Sequence, residues 1–285
     1  MNKVLARLGV FFIGFPLCLA IVIFLPQYNH LAANLLVCAV SGAASIEFAA
    51  ILRKRNFNVK NAEAVLLGVL PPLLVTAHVS FGVSFMAPLL VFTAAAAWVF
   101  VSHILVKKKE EIENIIPKAA GLCAVLFYPS FFLCWMIMIN GFLFFPHLFG
   151  FYLSLVIITD SFGWFFGVLF GKNSGGLIAI SPNKSVAGYL GGIAGSVALS
   201  LCASHFFPGL FEPSKLSPAV SAVIIALVTT IASSAGDLAE SALKRSASVK
   251  DSGDIIPGRG GALDSVDSLA FAAPFFYFCL IILYN

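Results

Sequence analysis

Ten of the chain's charged residues fall within residues 237–267, although the whole chain holds only 17 basic and 13 acidic residues. They are Asp237, Glu240, Lys244, Arg245, Lys250, Asp251, Asp254, Arg259, Asp264 and Asp267, and Gly258, Gly260 and Gly261 follow Pro257 in the same stretch. Carboxylate oxygens suit a hard divalent cation such as Mg2+, which commonly also holds substrate phosphates. Lysine and arginine neutralise further phosphate charge, and glycine lets backbone N–H groups come close to an anion. These residue types point to a metal-assisted phosphate site, with an ordinary charged loop as the alternative.

Spacing adds geometry. Asp237, Glu240, Ser241 and Lys244 follow an i, i+3, i+4, i+7 pattern and share one face if a helix continues past Gly236. Asp264 and Asp267, three apart, share a face of a second helix, so two helix ends are expected to offer three carboxylates to one point. A second cluster begins at Asp160, which sits in the apolar run Ile158-Thr159-Asp160-Ser161. A carboxylate at membrane depth is costly and marks a candidate functional site. Gly163, Gly167 and Gly171 follow at four-residue steps, a pattern of close helix packing, and Lys172 and the run Ser181-Pro182-Asn183-Lys184-Ser185 form a polar loop after them. Glu47 is the other acid at depth, with packing, snorkelling and catalysis all open. The run around residues 167–172 is no Walker A loop, because its spacing is short and no Ser or Thr follows Lys172. The five histidines are scattered, mostly near span ends, where an interfacial place suits them better than catalysis.

The elements that must position these groups are membrane helices. Of 285 residues, 60% are apolar and 11% charged, with a mean hydropathy of +1.00; soluble domains run at roughly 45–50% and about 25%. This excludes a soluble, a disordered and a nucleic-acid-binding chain, and a net charge of +4 is too small to make a polyanion-binding surface. Apolar windows near residues 6–25, 31–52, 64–81, 84–106, 118–139, 149–171, 186–206, 217–236 and 267–284 predict an all-α integral membrane protein of about nine transmembrane helices, since a backbone in hydrocarbon must satisfy its own polar groups. Residues 140–150, with Pro146, are expected to form a loop or a partly re-entrant turn. The first window is longer than a usual signal core, no small-x-small site follows it, and it is expected to be retained as a span. With the N-terminus cytoplasmic, sixteen of the 17 lysines and arginines fall on the cytoplasmic side and Lys215 alone opposite. Two basic loops, residues 53–60 and 107–118, are read as topology determinants, with anionic lipid binding as the alternative. Two regions are expected: residues 1–139 with about five spans, and residues 140–285 with about four spans and the site. Cys18, Cys38, Cys123, Cys134, Cys202 and Cys279 lie in apolar stretches without paired spacing, which argues against a disulfide framework and zinc.

The chain resembles the phosphatidate cytidylyltransferase (CDP-diacylglycerol synthase) family. The resemblance is carried by Gly236-Asp237, Ser241-Ala-Leu-Lys244-Arg245, Lys250-Asp251-Ser-Gly, Ile256-Pro257-Gly258-Arg259-Gly260-Gly261 and Leu263-Asp264-Ser265-Val266-Asp267-Ser268. The earlier run Asp160-Ser161, Gly171-Lys172 and Ser181 to Gly188 also matches, so the spacing holds over roughly residues 155–270. Arg259 stands where the family has histidine, and Ser265 where it has arginine. The resemblance implies transfer of CMP from CTP to phosphatidate at the cytoplasmic face of an inner or plasma membrane, giving CDP-diacylglycerol and pyrophosphate for phospholipid biosynthesis. By matched position it implies Mg2+ at Asp237, Asp264 and Asp267, with room for a second cation. Lys244, Arg245 and Lys250 would hold phosphate oxygens, and Asp251 would position Lys250 or a water on the metal. Asp160, Lys172, Ser181 and Lys184, with Arg259, Gly260 and Gly261, would bind nucleotide or lipid headgroup. CTP, phosphatidate, membrane lipids and a second copy in a homodimer are the expected partners, and nucleic acid is not.

Three other readings stay open. CTP-dependent polyprenol or phytol kinases resemble the chain in the Asp160 to Gly188 run but lack the later signature. A transporter with an acidic pathway would show paired discontinuous helices, and no internal repeat is visible. A degenerate homologue is the third, motivated by Arg259 and Ser265.

Overall fold

A computed structural model describes residues 10–104, 106, 109–173, 175, 178–212, 214–256, 258 and 260–284. The protein is an all-helical integral membrane protein. Every apolar window carries a helix: α1 (Phe15–Phe24), α2 (Gln27–Arg53), α3 (Asn61–Phe81), α4 (Met86–Val101), α5 (Ile115–Gly141), α6 (Phe145–Phe170), α7 (Val186–Phe206), α8 (Pro218–Ser246) and α9 (Ala262–Tyr284). Among the described residues seven of these, α2, α3 and α5 to α9, are long and apolar enough to cross a membrane, while α1 and α4 are shorter. Phe24, Leu90, Trp164 and Ile282 are each at least 68% exposed, which suits side chains solvated by hydrocarbon rather than water. Lys3, Arg7, Lys107, Lys108 and Arg259 lie outside the described residues.

Two boundaries bear on the site. α8 runs on past Gly236 to Ser246, so the condition under which Asp237, Glu240, Ser241 and Lys244 share one face is met. α6 begins at Phe145, so residues 145–150, expected in a loop, are helical instead. The reason is Pro146: it falls in the first turn, where its missing N–H has no acceptor to lose and its fixed φ is already helical.

The chain divides into two compact units, Met1–Gly141 with Leu243–Val266, and Phe142–Ala242 with Asp267–Asn285. In the first, α2 to α5 close on a core that includes Phe48, Ile51, Leu67, Val99, Leu122 and Leu126, and Ala247 and Leu263 are buried in the same cluster. α2 and α3 approach closely at Gly68, whose carbonyl accepts from Ser41 Oγ at 2.6 Å. In the second unit the core is aromatic. Phe151, Tyr152, Phe211 and Phe276 are buried, and the Tyr152 and Phe276 rings lie 5.0 Å apart. The buried Tyr152 hydroxyl donates to the Leu269 carbonyl, so the aromatic adds packing without orphaning its polar end.

Candidate active site

In the second unit a cavity of about 450 Å³ opens between α6, the segment before α7, and α8. Its polar lining includes Thr159 and Asp160 from α6, Asn183 and Lys184 from the segment, and Ser234 and Asp237 from α8. Three residues named from sequence, Asp160, Lys184 and Asp237, thus meet in one place. The Lys184 ammonium forms an ion pair with the Asp237 carboxylate, both side chains about 30% exposed or less, and lies 5.8 Å from the Tyr189 ring centre. Ser241 Oγ donates to the other Asp237 oxygen at 3.4 Å, one helical turn on.

Local sequence explains how the walls come together. Ser185 caps α7 by accepting from Gly188 N at 3.1 Å. Ser181 accepts from Lys184 N at 3.1 Å and donates its own N–H to Ile178 O at 3.0 Å, so it shapes the turn that presents Asn183 and Lys184. Lys172 is exposed on the turn Gly171–Asn173; neither it nor Ser181 lines the cavity. A Cβ on Gly188 would come 2.7 Å from Gly163 O, and one on Gly192 2.9 Å from Thr159 O. α6 and α7 therefore touch backbone to backbone, and the glycine steps at 163, 167 and 171 belong to this packing. Below the cavity Thr159 Oγ1 is hydrogen-bonded to Ser196 Oγ at 2.8 Å and Thr230 Oγ1 at 3.2 Å. On α9, Asp267 carries Ser268 N on its Oδ1 at 2.6 Å. A Cβ on Gly236 would lie 2.9 Å from Asp267 O, so Asp237 and Asp267 stand on adjoining turns of two packed helices.

The first unit holds the rest of the charged stretch. Lys244, 9% exposed, donates to Asp264 Oδ1 at 2.5 Å. Asp264 Oδ2 accepts from Ser252 N at 2.8 Å, Ser252 Oγ at 2.9 Å and Gly261 N at 2.7 Å. Gly260 has φ +113°, and a Cβ there would come 2.3 Å from Asp264 Oδ2. Ile256 and Gly260 exchange two backbone hydrogen bonds, 2.8 and 3.1 Å, closing a tight turn. Gly261 thus lets its backbone N–H reach an anion, and that anion is the chain's own Asp264 carboxylate. Ser265 donates to Gly261 O at 3.1 Å within the first turn of α9. Arg245, Lys250 and Asp251 are exposed, and Arg245 Nη1 donates to Val249 O at 3.0 Å. In the basic loop of residues 53–60, Arg53 donates to Val59 O at 2.7 Å and Arg55 to Ser246 O.

Sequence reasoning left Glu47 open. It is 6% exposed and accepts from Ala262 N at 3.0 Å, Leu263 N at 2.9 Å and Ser252 Oγ at 2.9 Å. The one visible signal was a carboxylate inside an apolar helix. Ser252, Asn183, Tyr189 and Ser234 carried no signal of their own beyond lying near the motifs.

Residues 5–283 match the Cytidylyltransferase family. The chain belongs to that family. It is 42% identical over 131 residues to the phosphatidate cytidylyltransferase of Bacillus subtilis (strain 168), a stretch covering 46% of each chain. The Haemophilus influenzae phosphatidate cytidylyltransferase is 41% identical over 133 residues, 45% of this chain and 44% of the relative. Phosphatidate cytidylyltransferase 4, chloroplastic, of Arabidopsis thaliana is 40% identical over 124 residues, 44% and 30%. In each case the aligned stretch is less than half of the relative's length. The Mg2+ that the resemblance implies is put to a test of donor chemistry. Asp237 and Asp267, with Asp160 and the Ser234 hydroxyl in the cavity lining, are oxygen donors of the kind Mg2+ takes. Asp264 fits less well: a carboxylate has about four lone-pair positions, and Lys244, Ser252 N–H and Gly261 N–H supply three donors, with the one Ser252 O–H shared between Asp264 and Glu47. Within either unit, no three described His, Cys, Asp or Glu side chains are gathered as a ligand set.

Proposed function

We propose that this chain transfers CMP from CTP to phosphatidate, releasing pyrophosphate and leaving CDP-diacylglycerol in the membrane. The observation that carries the proposal is the second unit's cavity, where Lys184 and Asp237 pair beside Asp160. Membership of the family and the names of the relatives support the choice of substrates. A phosphatidate oxygen attacks the α-phosphorus of CTP; the new P–O bond forms as the bond to the β-phosphate oxygen breaks. The lipid phosphate is already an anionic nucleophile, so no serine or cysteine is required. What the protein must supply is cationic neutralisation and positioning of two polyanions.

Lys184 is suited to the first task. Asp237 and the Tyr189 face hold its ammonium at the cavity wall, ready for a phosphate oxygen. Lys244 is held by Asp264 in the same manner within the first unit, and the exposed Arg245 and Lys250 extend the cationic surface there. Asp237 and Asp267 are the residues we assign to Mg2+, which would supply charge neutralisation on the phosphates when bound. Asp264, filled by protein donors, shapes the loop that bears Gly260 and Gly261. The charge bias along the sequence supports a cytoplasmic face for the reaction, where CTP arrives from water and phosphatidate from the bilayer.

The test is direct. Purified protein in phosphatidate-containing micelles with CTP and Mg2+ is expected to yield CDP-diacylglycerol and pyrophosphate in equal amounts, by mass spectrometry and a coupled phosphate assay. Lys184→Ala and Asp237→Asn are expected to lower turnover by a factor of about 100 or more, the scale of losing a charge-stabilising group. With a polyprenol or phytol in place of phosphatidate, release of CDP together with the phosphorylated alcohol would instead place the chain with the lipid kinases.

A further inference from the structure

Glu47 is 205 residues from Ser252 and 215 from Ala262 in sequence, yet its carboxylate touches both. Ala262 and Leu263 open α9. The first N–H groups of a helix have no acceptor within it, and the helix dipole favours a negative charge at that end. Oε1 takes Ala262 N and Oε2 takes Leu263 N. An apolar side chain would fill the same space and leave both N–H groups buried and unpaired. Snorkelling does not describe it either, because the carboxylate faces protein donors and the residue is 6% exposed.

The fit is close enough to dictate neighbouring residues. A Cβ on Gly261 would lie 2.1 Å from Glu47 Oε2, and one on Gly253 2.6 Å from Oε1. The glycines of the charged stretch are therefore shaped around this acid. Ser252 then links it onward: its hydroxyl is 2.9 Å from Glu47 Oε2 and 2.9 Å from Asp264 Oδ2. Asp264 in turn holds Lys244. All of these residues belong to the first unit.

We infer that Glu47 is a positioning residue, which fixes the first turn of α9 and Ser252 so that Asp264 presents Lys244 in one place. The effect on turnover rests on the transferase reading above; the effect on α9 does not. Glu47→Gln keeps the shape but turns an NH2 toward a backbone N–H. Glu47→Asp shortens the side chain by one methylene and keeps two acceptor oxygens. Hydrogen exchange of residues 260–266, and kcat and KM measured well below the melting temperature, are compared for the intact protein, both variants and Ser252→Ala. Glu47→Gln is expected to speed exchange at the start of α9 by roughly tenfold, the scale of losing a helix cap, and to lower kcat at least as much. Glu47→Asp is expected to retain more of both, and Ser252→Ala to lower kcat while Ala262 N–H and Leu263 N–H keep their protection and only Asp264 N–H, which Ser252 Oγ accepts at 3.3 Å, exchanges faster. Native exchange in Glu47→Gln, or Gln outperforming Asp, overturns the inference and leaves Glu47 a space-filling residue. If the unaltered protein makes no CDP-diacylglycerol, the transferase reading fails, while the exchange comparison still decides the role of Glu47.

Discussion

Lys244 and Asp264 form an ion pair whose side chains are 11% and 6% exposed. Removing one partner of such a pair strands a charge away from water, which costs about 3–5 kcal/mol. Lys244→Ala is therefore expected to lower the unfolding free energy in detergent by that much. Loss of turnover with stability intact in Asp264→Asn would separate positioning from folding. The glycines around this pair give a second expectation. Gly261→Ala sets a methyl 2.1 Å from Glu47 Oε2 and 2.2 Å from Ser252 Oγ, so the loop must move; overpacking of this kind costs about 1–3 kcal/mol. Thermal unfolding checks the cost, and combining Gly261→Ala with Glu47→Ala, which removes the obstructing carboxylate, is expected to give less than the sum of the two losses.

At the scale of the element, the walls of the cavity are set by how closely α6 and α7 approach. Gly188→Val places branched carbons against Gly163 O and is expected to weaken CTP or phosphatidate use by raising KM at least several-fold, with a stability loss of about 1–3 kcal/mol; Val at position 186, which is exposed, replaced by Ala is the control that leaves both unchanged. Element identity was legible in the sequence because hydropathy and the 3.6-residue period are local properties. The apolar window of α8 stops at residue 236, because hydropathy does not report a helix that runs on into polar surroundings; the i, i+3, i+4, i+7 spacing is only compatible with the continuation to Ser246. The start of α6 lies earlier than the apolar window from residue 149 indicates, because a helix tolerates proline in its first turn and Pro146 falls there. The site was legible in part. Asp160, Lys184 and Asp237 carried their chemistry openly, but the pairing of Lys184 with Asp237 spans 53 residues, and no periodicity reports a tertiary contact of that kind. Glycines 260 and 261 are read from sequence as letting N–H groups approach a phosphate; in the structure Gly261 N–H meets Asp264, and Ala262 and Leu263 N–H meet Glu47. That the anions are Asp264 and Glu47 follows only from which helix packs beside the loop.

For the whole molecule, the distribution of lysine and arginine makes a claim about sidedness. With the native cysteines replaced, Lys215→Cys is expected to react with an impermeant maleimide from outside intact cells, and Lys250→Cys only after permeabilisation; the reverse pattern would move the proposed reaction to the other face. Chemistry is the larger claim, and isotope placement addresses it most directly. Purified protein is given phosphatidate, Mg2+ and CTP carrying radioactive phosphorus at either the α or the γ position. Transfer of CMP predicts that the α label enters the lipid and the γ label leaves as pyrophosphate. A lipid labelled from the γ position, or from neither, would contradict the account.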